Sequence, residues 1–353
     1  MKMMKKMIAV LIIACTMLSL TACQDTTWAY DYNGKKIPSG LYIAFTMDAY
    51  SQAMYHKDIK SDIKNLMKQT LDKKPAKQWI IDSAKATADR YVAIDNQFEV
   101  LGLKLTESDQ KMIKKSTDDK WEQVGKYYEP NGVSKETMNL VSINQQKESV
   151  IFEKYYGKGG IEEVSNANLL IHFKENFASV NMLKIPLETG DKLTDEQKTN
   201  NKTLKAKADE YAKLINEQGK SYNEVQDAFI HYKAGSKHNP NAKDDVILKD
   251  EDTKQYIKKD SKVPSEKVVK AVFNDLKPDG KAVVIPDEDA YYVAIRYDVT
   301  KDPSQFDKMR ESILFDVKGE DFKKLVDKWK EPLKPTANNA SINRYDPKKI
   351  KLK

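Results

Sequence analysis

The residues whose types and spacing suggest chemistry most directly lie at the start of the chain, around Cys23. Three lysines among the first six residues form a positive segment, and residues 7–20 form an apolar run of 14 residues. That length suits the hydrophobic region of a signal peptide but is short for a membrane-spanning helix. The small residue Ala22 directly precedes Cys23. The chemistry to consider here is therefore peptide-bond cleavage beside a small residue and modification of a thiol.

The segment Leu20-Thr21-Ala22-Cys23 resembles a bacterial lipobox, whose pattern is Leu-x-Ala/Gly-Cys. This resemblance implies cleavage before Cys23 and lipid on its sulfur and on the new amino group. The alternative is an ordinary signal peptide that happens to contain Cys23. We expect residues 1–22 to be a lipoprotein signal peptide and residues 23–29 a tether. Since no later segment is apolar enough to span a bilayer, the predicted location is the cell membrane, lipid-anchored on the extracytoplasmic face.

Charge and cysteine content exclude several classes of function. The formal net charge of +7 falls to +4 when the three leader lysines are removed, which is too mild for a nucleic-acid-binding surface. The two cysteines are Cys15, which leaves with the leader, and Cys23, which the lipid would occupy. The folded part would then contain no disulfide, no catalytic thiol and no cysteine metal site.

The four histidines do not form a recognisable metal motif. His231 and His238 are seven residues apart and close in sequence to Asp244 and Asp245. This spacing matches neither a helical pair nor a tight loop pair of ligands, so surface histidines are the simpler interpretation. The acidic run 250–252 lacks the glycine and the spaced carboxylates of a calcium-binding loop. The sequence predicts no metal and no cofactor.

The N-terminal half is predicted to be almost entirely helical. An Asn33-Gly34 turn between two short strand segments predicts a hairpin. Helices are predicted over most of 40–176, and the most regular one has apolar residues at three- and four-residue steps over 80–101 and ends at Gly102. The N-caps predicted for the next helices are Thr106 and Ser134.

Residues 178–300 have a mixed pattern that predicts a compact α+β domain. A strand is predicted over 180–187, with Leu183, Ile185 and Leu187 on one face. Two helices then begin at capping boxes, a loop with little regular structure covers 233–262, and a helix and two strands complete the domain. The capping boxes begin at Thr194 and Ser221.

The end of the chain is predicted to return to helical structure. A helical run over 306–329 is expected to pack against the first helical region. A short strand is predicted at 341–343, and the tail closes with the basic run 348–353.

This layout resembles the extracytoplasmic parvulin-type foldases, the lipid-anchored PrsA/SurA-like proteins of bacteria. The resemblance implies an α+β fold in which a helical chaperone domain, formed from N- and C-terminal segments, contains an inserted parvulin-like α+β domain. The implied boundaries are 30–177 and 301–353 for the helical domain and 178–300 for the parvulin-like domain. The segments that match the family's motifs are 33–38, 175–180, 219–224, 272–280 and 291–295.

The departures from the family concern its catalytic residues. Active parvulins have one histidine in the first strand and one in the last; these positions fall here on Lys184, or Asn181 in a shifted register, and on Val293. The family's glycine-rich loop is also absent. The resemblance therefore implies a module that binds polypeptide without catalysis. The alternative is a divergent but active peptidyl-prolyl cis-trans isomerase, with Lys184 and Tyr292 as catalytic candidates and a proline pocket formed by Tyr222, Phe273, Tyr291 and Tyr292.

The predicted function is that of a membrane-anchored extracytoplasmic chaperone that binds unfolded or newly secreted proteins through apolar helical surfaces. Flexible methionines and amphipathic tyrosines suit a surface that accepts many sequences, although packing between helices is the alternative for each residue. A third possibility is a module that binds a wall component or a small solute, but the two α/β lobes of such binders are absent. The residues considered for the chaperone surface are Tyr42, Phe45, Met47, Tyr50, Met54, Tyr55, Trp79, Tyr91 and Phe98.

Overall fold

The protein consists of two compact units. The structure is a computed structural model that describes residues 25–59, 63–235 and 253–351. The helical unit comprises Met1–Glu163 together with Lys318–Lys353, and the α+β unit comprises Val164–Val317. The α+β fold class predicted from the sequence is confirmed, since four long helices form most of one unit and a four-stranded sheet lies in the other.

A small sheet joins the two ends of the helical unit. Strands β1 (Trp28–Tyr32) and β2 (Lys35–Pro38) form the predicted hairpin, and β9 (Thr336–Ala337) pairs with the other edge of β1. The turn residues Asn33 and Gly34 have φ angles of 56° and 95°, which are the left-handed angles that a two-residue hairpin turn requires. The order β2-β1-β9 therefore places a strand of the C-terminal segment in the same sheet as the two N-terminal strands.

The helical unit also contains α1 (Ser39–Met54), α2 (Ala76–Val100), α3 (Glu107–Tyr128) and α4 (Lys135–Tyr156). The predicted N-caps at Thr106 and Ser134 are confirmed, and Thr106 forms a full capping box. The predicted apolar stripe of α2 lies in the core, because its members at 80, 84, 88 and 94 are fully buried.

A second hairpin in the helical unit was absent from the sequence prediction. It consists of β3 (Thr70–Leu71) and β4 (Lys74–Pro75), joined by Asp72 and Lys73. Both turn residues have positive φ angles, 46° and 65°, although neither is glycine. Because the strands are two residues long and the turn lacks its usual glycine, no local pattern indicates this hairpin.

The C-terminal segment is attached to the N-terminal strand by the side chain of Asn338. Its amide nitrogen donates to the carbonyl oxygens of Asp25 at 2.6 Å and Trp28 at 3.0 Å, and its side-chain oxygen accepts from the Ser341 backbone N–H at 3.3 Å. Asn338 is thereby the N-cap of α10 (Asn339–Arg344). The strand predicted at 341–343 is wrong, because the cap and the docking of Ser341 in the interior favour a helical turn there.

We expect Asn338→Ala to lower the free energy of unfolding of the helical unit by about 1–2 kcal/mol, since it removes an N-cap and two further hydrogen bonds. The matched control is Asn343→Ala, an exposed position on the same helix. All four tryptophans lie in the helical unit, so tryptophan emission monitors the unfolding of this unit in urea. An unchanged midpoint for Asn338→Ala would contradict the role of this residue.

The α+β unit is built on an antiparallel sheet of order β6-β5-β8-β7. Its strands are β5 (Phe177–Pro186), β6 (Gln255–Lys258), β7 (Asp279–Pro286) and β8 (Ala290–Tyr297). Its helices are α5 (Asn166–Asn176), α6 (Asp195–Gln218), α7 (Tyr222–Ala234) and α8 (Glu266–Asn274). The capping boxes predicted at Thr194 and Ser221 are confirmed.

Helices cover both faces of this sheet. Helices α6 and α7 pack on one face, where Leu183, Ile185 and Leu187 lie together as predicted. Helix α8 packs on the other face, against residues such as Val180 and Ala294. Because side chains alternate along a strand, successive residues within β5 lie on different faces of the sheet, and the same holds within β8.

Strand β6 lies within the segment predicted to be a loop. Only one of its four residues, Ile257, is buried. A four-residue strand at a sheet edge has too few apolar residues to show the period-two pattern, so its pairing with β5 is a tertiary property.

The long helix α9 (Pro303–Lys330) is divided between the two units. In the α+β unit, the Phe306 ring lies 5.8 Å from that of Phe173. In the helical unit, the Phe322 ring lies 5.2 Å from that of Phe152. The expectation that this helix packs on the helical region is thus correct only for its second part. Helix α5 and residues 303–317 belong to the α+β unit, whereas the sequence-based boundaries assigned them to the helical domain.

Candidate functional site

Two of the predicted site residues lie side by side on the α8 face of the sheet. Lys184 of β5 and Tyr292 of β8 are directly paired in the strand register, so their side chains share a face. The Lys184 Nζ atom lies 5.9 Å from the centroid of the Tyr292 ring. It also donates a hydrogen bond of 2.7 Å to Asp289 Oδ2, in the turn before β8.

The ion pair with Asp289 further stabilises the charged form of Lys184. The hydrogen bond to the carboxylate raises the pKa of Lys184, and the same contact lowers the pKa of Asp289. Both groups are therefore ionised at neutral pH. Lys184 can donate a hydrogen bond to a carbonyl oxygen, but it cannot act as a general base in this state.

These residues border a cleft of about 630 Å³, which we call the α8-face cleft. Its walls are mainly apolar or aromatic, and Val263 on its rim is 73% exposed. Such a cleft suits an apolar side chain together with one carbonyl contact, since apolar walls with few polar groups are typical of binding sites. The walls include Met182, Lys184, Ile257, Val263, Pro264 and Tyr292.

The structure does not bring the four aromatic residues of the predicted proline pocket together. Tyr222 is buried with α6 and α7, and Tyr291 packs on that same face. Phe273 packs on the α8 side, with the Arg296 guanidinium 5.2 Å from its ring. Of the four, only Tyr292 borders the α8-face cleft.

The positions that correspond to the family's histidines do not form an exposed pair either. Val293 lies in the core beneath α6 and α7, on the face opposite Lys184. In the shifted register, Asn181 shares the face of Val293, but both residues are fully buried, and the Asn181 amide donates to Thr253 Oγ1 at 2.8 Å. Replacing these two residues with histidine would not by itself create an accessible site.

Most residues considered for the chaperone surface belong to the core of the helical unit. Tyr42, Phe45, Met47 and Phe98 are buried, and of the nine candidates only Tyr55 is largely exposed, at 84%. Packing is therefore the role of the buried candidates. The exposed large apolar residues that the structure shows in this unit are Tyr55, Val100, Met112, Tyr127, Leu140 and Ile161.

The structure reveals one group of potential ligands that was not predicted. His56, Asp58 and Asp72 place ligand atoms within 4.8 Å of one another. His56 Nε2 lies 3.2 Å from Asp72 Oδ2, and the Trp79 indole N–H donates to the same carboxylate oxygen at 3.0 Å. These contacts lower the pKa of Asp72, first through the hydrogen bond from Trp79. The group depends on the unpredicted β3–β4 turn, so its sequence spacing gave no signal.

Several predicted residues fall outside the described part of the chain, namely Cys23, His238, Asp244, Asp245 and the acidic run 250–252. His231, which is described, lies 3.3 Å from the Asp227 carboxylate one helical turn away. None of the described helices combines the length and apolar character needed to cross a membrane.

Comparison with known proteins gives matches in structure but not in sequence. No family model and no curated protein matches the chain. The structure is similar to that of foldase protein PrsA from Streptococcus pneumoniae str. Canada MDR_19A, with a TM-score of 0.38 and 16% identity over 76% of this chain and 89% of that chain. It is also similar to foldase protein PrsA from Lactococcus lactis, with a TM-score of 0.36 and 12% identity over 90% of this chain and 97% of that chain.

Proposed function

We propose that this protein is an extracytoplasmic chaperone, anchored to the membrane through lipidated Cys23, that binds unfolded or newly secreted polypeptides without catalysing a reaction. The observation that supports this most is the α8-face cleft, whose walls can accept apolar side chains and whose one ammonium group is already paired with Asp289. Val263 lies exposed beside this cleft and offers a bound chain one further apolar contact.

The helical unit contributes a second, weaker set of contacts in this proposal. Its exposed apolar residues are scattered over several helices rather than concentrated in one pocket. Contacts of this kind are individually small, and they favour rapid and sequence-tolerant binding. The binding would need neither a nucleotide nor a metal.

A divergent prolyl isomerase is the second candidate. The observation that favours it is the position of Lys184 Nζ and Tyr292 at one cleft, where a donor could contact a twisted imide. Isomerisation breaks no bond and crosses a barrier of about 18–20 kcal/mol. Against this candidate, one of the three donors of the Lys184 ammonium is used by Asp289, and no histidine borders the cleft among the described residues.

The test is the refolding of a client protein whose slow phase is limited by proline isomerisation, with the aggregated fraction measured in the same sample. The chain would begin at Gln24, so that no lipid is needed. We expect aggregation to fall while the slow phase keeps its uncatalysed timescale of tens of seconds. A slow phase that accelerates in proportion to added protein would establish the isomerase instead.

Val263→Glu is expected to increase the protein concentration needed for half-maximal suppression of aggregation about 5–10-fold, since it replaces an apolar contact with a charge. Val263→Leu should retain suppression because the wall stays apolar. The matched control is Ile230→Glu, an aliphatic residue that is 54% exposed on α7 of the same unit and is not among the cleft residues. Equal losses for the two glutamate variants would overturn the assignment of the cleft.

A further inference from the structure

The basic run near the end of the chain has no role in the proposed function so far. It covers 348–353, and the structure describes it as far as Lys351. Arg344 precedes it, in the last turn of α10. Residues 344–351 contain four basic residues and one acidic residue, whereas the whole chain has 60 basic and 53 acidic residues. This segment is therefore much more basic than the chain as a whole.

Three basic side chains of this segment lie at the C-terminal end of α10. The Lys349 ammonium donates to the carbonyl oxygens of Asn343 at 3.3 Å and of Arg344 at 3.1 Å. Lys348 directly precedes Lys349 in the turn that follows α10. We call Arg344, Lys348 and Lys349 the basic patch, and all three residues are exposed.

The tertiary structure places the basic patch beside the first described residues. The Arg344 Nη1 atom donates to Thr26 Oγ1 at 3.0 Å, and the Ser341 hydroxyl on the same helix donates to the Thr26 carbonyl oxygen at 3.3 Å. Thr26 follows Cys23 by three residues, and three extended residues span at most about 11 Å. Lipid on Cys23 would therefore hold Arg344 at a distance from the bilayer comparable to the Debye length, which is about 8 Å at physiological ionic strength.

The carboxylate closest in sequence to the basic patch, Asp346, is already paired. It forms an ion pair with the Lys77 ammonium and accepts from the Lys348 backbone N–H at 2.9 Å. The Lys348 ammonium adds a smaller attraction to the same carboxylate. Among the described residues, no carboxylate forms a salt bridge with any member of the basic patch. Asp346 therefore cannot balance the three positive charges.

The other carboxylate at this end of the helical unit is Asp25, and it has a lysine of its own. Asp25 Oδ2 accepts from the Trp28 indole N–H at 3.0 Å, and the Lys36 ammonium lies 4.9 Å from the centroid of the Trp28 ring. The Lys36 charge contributes to the lowered pKa of Asp25, although the hydrogen bonds from Thr27 contribute more. The surface beside Thr26 thus has an excess of positive charge, and its complement is an anionic surface.

We propose that the basic patch binds the anionic headgroups of the membrane to which Cys23 is anchored, so that this end of the helical unit lies against the bilayer. This inference rests on the proposed lipidation of Cys23 and adds a second, electrostatic contact with the same membrane. A single lipid tether leaves the helical unit free to rotate. Two contacts so close together would restrict that rotation, because each cation near an anionic bilayer increases the binding constant about fivefold.

The test is cosedimentation of the chain from Gln24, which carries no lipid, with vesicles of phosphatidylglycerol and phosphatidylcholine. The chain should bind these vesicles at low ionic strength and more weakly as salt is added. Vesicles of phosphatidylcholine alone should bind it at least about tenfold more weakly. Equal binding to the two kinds of vesicle, or no binding to either, would overturn the inference. This comparison needs no substitution, so it does not depend on the folding of a variant.

Two triple variants separate the basic patch from the net charge of the chain. The patch variant should lower the binding constant for the anionic vesicles at least about tenfold, and the control variant, which loses the same charge from exposed positions on other elements, less than about twofold. Equal losses would show that only net charge matters and would overturn the inference. The patch variant combines Arg344→Gln, Lys348→Gln and Lys349→Gln, and the control combines Lys104→Gln, Lys111→Gln and Lys158→Gln.

Inorganic polyphosphate is the probe for phosphate groups outside a membrane. If it binds the basic patch more tightly than the anionic vesicles do at equal phosphate concentration, the partner is a polyanion in solution and the inference is overturned. Neither triple variant should alter the suppression of aggregation. A chain that suppresses aggregation without binding vesicles overturns this inference alone, whereas one that binds vesicles without suppressing aggregation contradicts the proposed function alone.

Discussion

Replacing Phe173 with alanine is expected to lower the free energy of unfolding of the α+β unit by about 3–5 kcal/mol, the cost typical of deleting a buried phenylalanine. The Phe173 side chain is fully buried. Its ring centroid lies 5.4 Å from that of Phe177, 6.4 Å from that of Tyr256 and 5.8 Å from that of Phe306. One side chain of α5 thus joins β5, β6 and α9, and the cavity left by alanine would weaken all three contacts.

The effect can be measured on the full chain because the two units have different reporters. Hydrogen exchange of the amides in 177–186 follows the α+β unit, whereas tryptophan emission follows the helical unit, which contains all four tryptophans. The matched control is Ile171→Ala, two residues earlier on the same helix and 53% exposed, where we expect a change of no more than about 0.5 kcal/mol. Comparable exchange rates in Phe173→Ala and Ile171→Ala would refute the role of Phe173 as the link between these elements.

The Phe173→Ala substitution is also expected to weaken the suppression of aggregation. Tyr256, which stacks on Phe173, borders the α8-face cleft. Because β6 has only one buried residue of its own, we expect the strand to lose its order before the rest of the sheet does. Phe173→Ala should therefore lose suppression of aggregation at temperatures where the helical unit remains folded.

The second large loss of stability is expected on substitution of Arg296, whose side chain caps the C-terminal end of α8. Its Nη1 atom donates to the carbonyl oxygens of Val272, Phe273 and Leu276, each at 3.2 Å. Carbonyl groups at a helix C-terminus have no partner within the helix, and the helix dipole favours a positive charge there. Burial lowers the pKa of Arg296, but a guanidinium remains charged in proteins. We expect Arg296→Met to lower the free energy of unfolding of the α+β unit by about 2–3 kcal/mol, since it leaves these carbonyls without their charged donor.

Two comparisons separate the cap from a general charge effect. Lys270→Met removes a positive charge from an exposed position of the same helix without affecting the cap, and we expect little change in stability. Arg296→Lys keeps the charge but loses the planar arrangement of donors, so an intermediate loss is expected. Hydrogen exchange of residues 266–276 is the measurement. An Arg296→Met protein with unchanged exchange there would show that water replaces the guanidinium without cost.

The sequence by itself determined the features that depend on a few neighbouring residues. The Asn33-Gly34 hairpin and the N-caps at Thr106, Ser134, Thr194 and Ser221 are as predicted, because turn and cap preferences arise from backbone angles and hydrogen bonds within about four residues. The alternation of β5 was predicted for a similar reason, since a strand with one apolar face repeats every two residues. The α+β class follows from these signals.

The tertiary structure alone decided which residues meet. The sequence could not show that Lys184 faces Tyr292 rather than Val293, because a shift of one residue in strand register moves a side chain to the other face. Nor could it show that Tyr42 is buried whereas Tyr55 is exposed, since both lie on one aromatic-rich segment. Strand β6 depends on its pairing with β5, as between Ser179 and Tyr256. The cap by Arg296 depends on the contact of β8 with the end of α8. Local propensity does not encode such contacts, because they are fixed only when the whole core packs.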